Sequence, residues 1–152
     1  MPIEVDQSNK IERMDKDTIL AFADGRSFSV VIPARVKRRA LEILVSKKKP
    51  RKMAYLMLFA AGLFILLRDY LSQAADPEET VVIDTEYSGR EADIRATLLR
   101  YAQKKGWALR AERFVFRQVG KGSRAHVLAW NVQRGKLRAG YRITLKDLSR
   151  LI

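Results

Sequence analysis

The chain has 152 residues, a length that suits one folded unit with a real core. Its 30 lysines and arginines against 17 acids give a net charge of +13, which argues against cationic partners and favours nucleic acid or an anionic membrane surface. There is no cysteine, so disulfides, thiolate zinc sites and cysteine nucleophiles are excluded. Residues 1–17, MPIEVDQSNKIERMDKD, lack the basic start and apolar core of a secretory signal. They read as a flexible lead-in, with a single domain over 18–152. Residues 18–23 read as a strand, Asp24-Gly25 as a tight turn, and residues 27–32 as a second strand that alternates Phe28, Val30 and Ile32 with Ser27, Ser29 and Val31. Pro33 closes that strand. Residues 34–46 read as a basic amphipathic helix with Val36, Ala40, Ile43 and Leu44 inward, although Arg35, Lys37, Arg38 and Arg39 at its start oppose the helix dipole. Lys47 to Lys52 is a charged connector in which Pro50 suits the opening of a helix.

Met53 to Leu67, MAYLMLFAAGLFILL, carries no charge. Two readings stand. As a helix it is roughly 22 Å long against a bilayer core of about 30 Å, and Lys52, Arg68 and Tyr70 could extend it into a single membrane span over about 53–71. The lysine run before it would fit such a span and an anionic lipid surface. As a core helix it explains the small residues Ala60, Ala61 and Gly62, which permit close approach to a sheet, and the Arg68-Asp69 pair that follows at once. The core reading is preferred, with Ala61 or Gly62 nearest the sheet and the protein cytoplasmic.

Beyond a polar gap, Val81 to Asp84 reads as a continuous apolar strand covered on both faces. Ser88 and Glu91 have capping-box spacing ahead of a helix through Ile94, Leu98 and Ala102, stopped by Lys104, Lys105 and Gly106. Residues 113–119 alternate as a strand. Ser123 suits the cap of a helix with Ala125, Leu128, Ala129 and Val132 inward, ending near Gly135. A last strand, 141–143, leads to a short helix capped by Thr144. The order β-β-α-α-β-α-β-α-β-α predicts an α/β fold with one sheet and helices on its faces.

On a strand, Asp84 and Glu86 share a face and lie at the strand's C-terminal end, where open α/β sheets place ligands. Paired carboxylates suit a hard divalent cation such as Mg²⁺ or Mn²⁺. They equally suit solvated acids at a strand end, with Glu86 held by Arg90. Basic groups suited to phosphate cluster in three places: Lys104, Lys105 and Arg110 around Trp107, Lys121 and Arg124 at a glycine loop before a helix N-terminus, and the run Lys47 to Lys52. Each cluster alone also reads as a solvated face.

Four motifs in order carry a resemblance. AFADG (21–25) resembles the first-strand motif of the ribonuclease H-like superfamily, an aspartate followed by glycine. IDTEY (83–87) resembles its later strand motif, and the apolar helix between them stands where that family has a long buried helix. FRQVGKGSRAHVLAW (116–130) resembles its final strand, basic glycine loop and helix, with His126 at the place of a metal-linked aspartate. The resemblance implies a ribonuclease H-like mixed sheet with the apolar helix buried. It also implies catalytic roles for Asp24, Asp84 and His126, Mg²⁺ or Mn²⁺ on Asp24, Asp84 and Glu86, and metal-dependent hydrolysis of nucleic acid. It does not distinguish RNA–DNA hybrid, duplex or branched DNA as substrate. Two departures accompany it: the family's helix glutamate has no counterpart in 53–67, so Glu86 or Glu42 would have to stand in, and the third strand of the opening meander is missing. The alternatives are the single-pass membrane protein and a catalytically inactive ribonuclease H-like binding module.

Overall fold

The computed structural model describes residues 3–24, 26–73 and 79–152, with the side chains of Asp24 and Gln73 outside that description. Gly25 and much of the polar gap therefore lie outside the described residues. Six strands form one mixed sheet: β1 (Ile3–Ser8), β2 (Thr18–Asp24), β3 (Arg26–Ile32), β4 (Val81–Asp84), β5 (Phe114–Arg117) and β6 (Tyr141–Arg142), in the order β5-β4-β1-β2-β3-β6. The first three strands are an antiparallel meander, while β4 and β5 add parallel on one side and β6 parallel to β3 on the other. Five helices cover it: α1 (Ala34–Ser46), α2 (Arg51–Gln73), α3 (Glu91–Lys104), α4 (Arg124–Gln133) and α5 (Leu145–Ser149). This is the expected α/β fold, a mixed sheet with helices on its faces and the apolar helix buried, and it is consistent with a ribonuclease H-like sheet.

The largest departure from expectation is at the start of the chain. Residues 3–8 are not a lead-in. They form β1, which lies between β4 and β2 with Ile3 and Val5 buried. This supplies the missing meander strand. The polar segment that follows is tied down by backbone carbonyls accepting from α1. The Lys37 ammonium, fully buried, donates to the Ile11 and Arg13 carbonyls and to the Thr18 hydroxyl at 3.2, 2.7 and 2.9 Å, and Arg38 donates to the Met14 carbonyl. The crowding of cations at the start of α1 thus has acceptors waiting. Asp17 adds a carboxylate at the helix N-terminus, accepting from the Ala34 N–H at 2.8 Å.

Helix α2 is long and apolar enough to cross a membrane, yet 78% of that stretch is buried inside the structure. It lies on the sheet face that carries Val5, Leu20 and Ile32. Gly62 is a point of close approach: a Cβ there would stand 2.6 Å from Leu20 Cδ1 and 2.9 Å from Ile32 Cδ1. Helix α4 covers part of the opposite face, with Ala129 packed on Ile19, Ala21 and Val31. Its start follows from chemistry read in the sequence, since the Ser123 hydroxyl accepts from the His126 N–H at 3.0 Å. Thr144 likewise caps α5 in a full capping box with Asp147. Ser88 does not cap α3. That helix starts after Arg90 with no side-chain cap.

Candidate metal centre

In the parallel pairing of β1 with β4, Val5 lies opposite Ile83, and both side chains join the core under α2. The next residues, Asp6 and Asp84, therefore stand abreast on the other face. Glu86 lies past the end of β4 rather than on it, so its approach to Asp84 comes from the loop and not from strand alternation. Tyr87 anchors that loop: its ring packs on Phe59 with centroids 5.1 Å apart, and its hydroxyl donates to Glu12 at 2.7 Å. One carboxylate oxygen from each of Asp6, Asp84 and Glu86 falls within 4.8 Å of the others.

Each acid is held by a specific neighbour. Asp6 is only 5% exposed, and its Oδ1 accepts from the Gln7 N–H at 2.8 Å. Its Oδ2 lies 2.8 Å from Nδ1 of His126, which α4 brings in on its first turn. Asp84 Oδ1 accepts from the Val119 N–H at 2.7 Å, tying the β5–α4 loop to the centre. Glu86 keeps Lys10 Nζ at 3.8 Å and does not pair with Arg90, which is engaged by Asp93 at 2.7 Å. Burial pushes the Asp6 carboxyl above its usual range, and the Asp84 charge adds to the effect. Glu86 is pushed up to about 7, first by burial and then by hydrogen bonding and repulsion from Asp84, with Lys10 opposing. The Gln7 amide shares a recess with Asp84 and Glu86 and steadies the ionised form of Glu86, yet it makes no hydrogen bond of normal length.

The expected ligand Asp24 is not part of this group. It ends β2 at the tip of the β2–β3 hairpin, paired with Arg26. Through β1 its backbone is level with Ile3, and so with Val81, whereas Asp84 is three residues further on. That separation is about 10 Å along the strands and about 10 Å across two of them, too far for a shared ion. Its side chain lies outside the described residues. The first-strand aspartate is Asp6, which the sequence reading assigned to a lead-in. The alternation of Ile3 and Val5 with Glu4 and Asp6 was the available signal. Glu42 is also excluded, since it sits exposed on α1 beside Arg39 at 3.3 Å.

The basic residues divide. Lys121 and Arg124 flank the loop and helix start that carry Val119 and His126 to the aspartates. The others lie elsewhere, at and beyond the end of α3. Lys104 donates to the Leu151 carbonyl, Arg110 has Glu112 at 3.9 Å, and the half-buried Trp107 ring packs on Phe64 with centroids 5.3 Å apart. Trp107 is thereby committed to the core edge rather than presented to a base. Comparison of the chain with protein-family models, with curated proteins and with solved structures finds no match.

Proposed function

We propose that the chain is a ribonuclease H-like, divalent-metal-dependent phosphodiester hydrolase acting on nucleic acid. The convergence of Asp6, Asp84 and Glu86 in a chain of net charge +13 carries the reading. The donor set fits the ion: three carboxylates are hard oxygen ligands of the kind Mg²⁺ and Mn²⁺ take, and each aspartate retains lone pairs beyond the hydrogen bonds described. The orphaned Gln7 amide, which lines the same recess as the three acids, is a buried polar group that the fold leaves unsatisfied beside them. Bound there, the ion would activate a water and neutralise charge on the scissile phosphate. Asp6, Asp84 and Glu86 would hold it. His126 is a positioning residue that orients Asp6 through its Nδ1 contact and presents the rest of its ring, 34% exposed, to the approach side. Lys121 and Arg124 would meet phosphates. The burial of α2 supports a core helix over a single membrane span.

Asp84→Asn tests the reading cleanly, because an amide oxygen can still accept from the Val119 N–H and the fold should survive. Mg²⁺ or Mn²⁺ should raise the melting temperature of the wild type and not of the variant, and metal-dependent cleavage should vanish with the substitution. Equal metal responses in the two proteins would reject the centre. A response to metal without cleavage of hybrid, duplex, branched or single-stranded substrates would favour the inactive binding module.

A further inference from the structure

From Arg113 to Lys146 the sequence carries nine lysines and arginines and not one Asp or Glu. This stretch holds β5, α4 and β6. Among the described residues, Lys121, Arg124, Lys136 and Arg138 have no carboxylate within salt-bridge distance. The stretch also displays three of the four large apolar side chains that are markedly exposed among the described residues: Val127 at 45%, Trp130 at 47% and Leu137 at 49%. Between α4 and the β2–β3 hairpin runs a cleft of about 430 Å³. Ala23 and Ser27 form one wall, Arg124, Val127 and Asn131 the other, and Leu137 closes the rim. The spacing of the three α4 residues places them on one helix face. The cleft opens at the first turn of α4, the same turn that delivers His126 to Asp6.

We propose that this cleft and the outer face of α4 bind a single-stranded nucleic acid and lead it to the carboxylates. The docking follows from charge and shape, while the fate of the strand rests on the hydrolase reading above. A stretch that contributes cations and no acid of its own is complementary to a polyphosphate backbone. Trp130 separates strand from duplex. The Arg134 guanidinium lies 3.6 Å from the ring centroid, so one face of the indole is covered and the other is available. Base faces reach an indole only when they are not stacked inside a duplex, and Val127 and Leu137 similarly find no apolar partner on a duplex exterior. Arg26 also lines the cleft, but its guanidinium lies over the Tyr70 ring at 5.4 Å, so Arg124 is the cation chosen for the test.

The test uses the full chain in EDTA, which separates binding from cleavage. With Trp107 replaced by Phe, Trp130 is the sole tryptophan, and its emission should be quenched by a short oligothymidylate. Anisotropy of a labelled oligothymidylate should show Trp130→Ala weakening binding roughly tenfold. Arg124→Glu should weaken it similarly and lower the log–log salt slope by about 0.7, one phosphate's share for a single strand. An acid at that helix N-terminus is favourable to folding, so the loss is not one of structure. A duplex of equal length should bind less tightly. Unmoved Trp130 emission at saturation, wild-type binding by both variants, or tighter duplex binding would overturn the inference. Cleavage with Mn²⁺ that persists in such a case would leave the metal centre standing. Trp130-dependent binding without cleavage would instead retain the docking surface and reject the hydrolase.

Discussion

Glu86 makes the candidate centre open to a thermodynamic test that needs no substrate. In the folded protein it holds its proton to about pH 7, against 4.5 for the free side chain. Between those values the folded chain binds more protons than the unfolded one, so its stability falls as pH rises. The full displacement corresponds to roughly 3 kcal/mol, present as a penalty above pH 7 and absent below 4.5. Burial is the first cause and Asp84 the second, so the penalty measures a carboxylate confined beside another. Glu86→Gln removes the titration and keeps the shape. Urea denaturation in EDTA from pH 5 to pH 8 should therefore show the wild type losing ground to Glu86→Gln by up to roughly 3 kcal/mol. A divalent cation should close most of that gap at pH 8, since it compensates the charge that the proton otherwise neutralises. At a concentration 100 times its Kd, it would return about 2.7 kcal/mol to the wild type. Its affinity should weaken below pH 7, where protons compete for Glu86. Parallel pH profiles for the two proteins, with no cation effect on either, would refute the convergence of the three acids.

Two further predictions concern the scaffold. Gly62→Val should destabilise by about 2 kcal/mol, because Leu20 and Ile32, both fully buried, must make room for the new side chain; thermal melting should show a drop of about 4–8 °C. Gly62→Ala should be milder, since its gain in helix propensity of about 1 kcal/mol offsets part of the clash. Lys37, pushed down to about 8 by burial, binds fewer protons than the unfolded chain between pH 8 and 10.5. Stability should thus rise with pH across that window relative to Lys37→Met, as read by urea denaturation at pH 8 and pH 10.

Local chemistry made most elements legible. Pro33, Ser123, Thr144 and the Lys104–Gly106 stop each act within a few residues, and the helices begin or end where those residues predict. The buried course of α2 was readable for a similar reason: three small residues in an apolar run point to a surface that must come close. What failed was non-local. IEVDQS is short and half polar because β1 is covered on one face by α2 and meets the first turn of α4 on the other, where Asp6 finds His126, 120 residues away. No window of sequence contains that partner. Asp24 misled because Asp-Gly serves a hairpin turn by itself, without any ligand. Glu86 was anticipated for the wrong reason, since the strand stops two residues earlier and Tyr87 sets its position.

The pairing of β1 decides whether a site exists. In the observed register Ile3 and Val5 face α2, while Asp6 reaches His126 and Ser8 bonds to Gln133, both on α4. A slip of one residue would turn Asp6 into the layer of Leu20 and Phe59. Burying an unpaired carboxylate there costs several kcal/mol, so the aspartate that makes the site also fixes the register. Gln7 is the exception to the apolar pattern on that face: it is 8% exposed, with neither amide atom hydrogen-bonded. Such an orphan costs about 1–3 kcal/mol, and an apolar residue of similar size would fill the space without that cost. The unsatisfied amide lines the same recess as Asp6, Asp84 and Glu86. Local breaches of packing rules concentrate where a site must bind something, and here the breach and the carboxylates coincide.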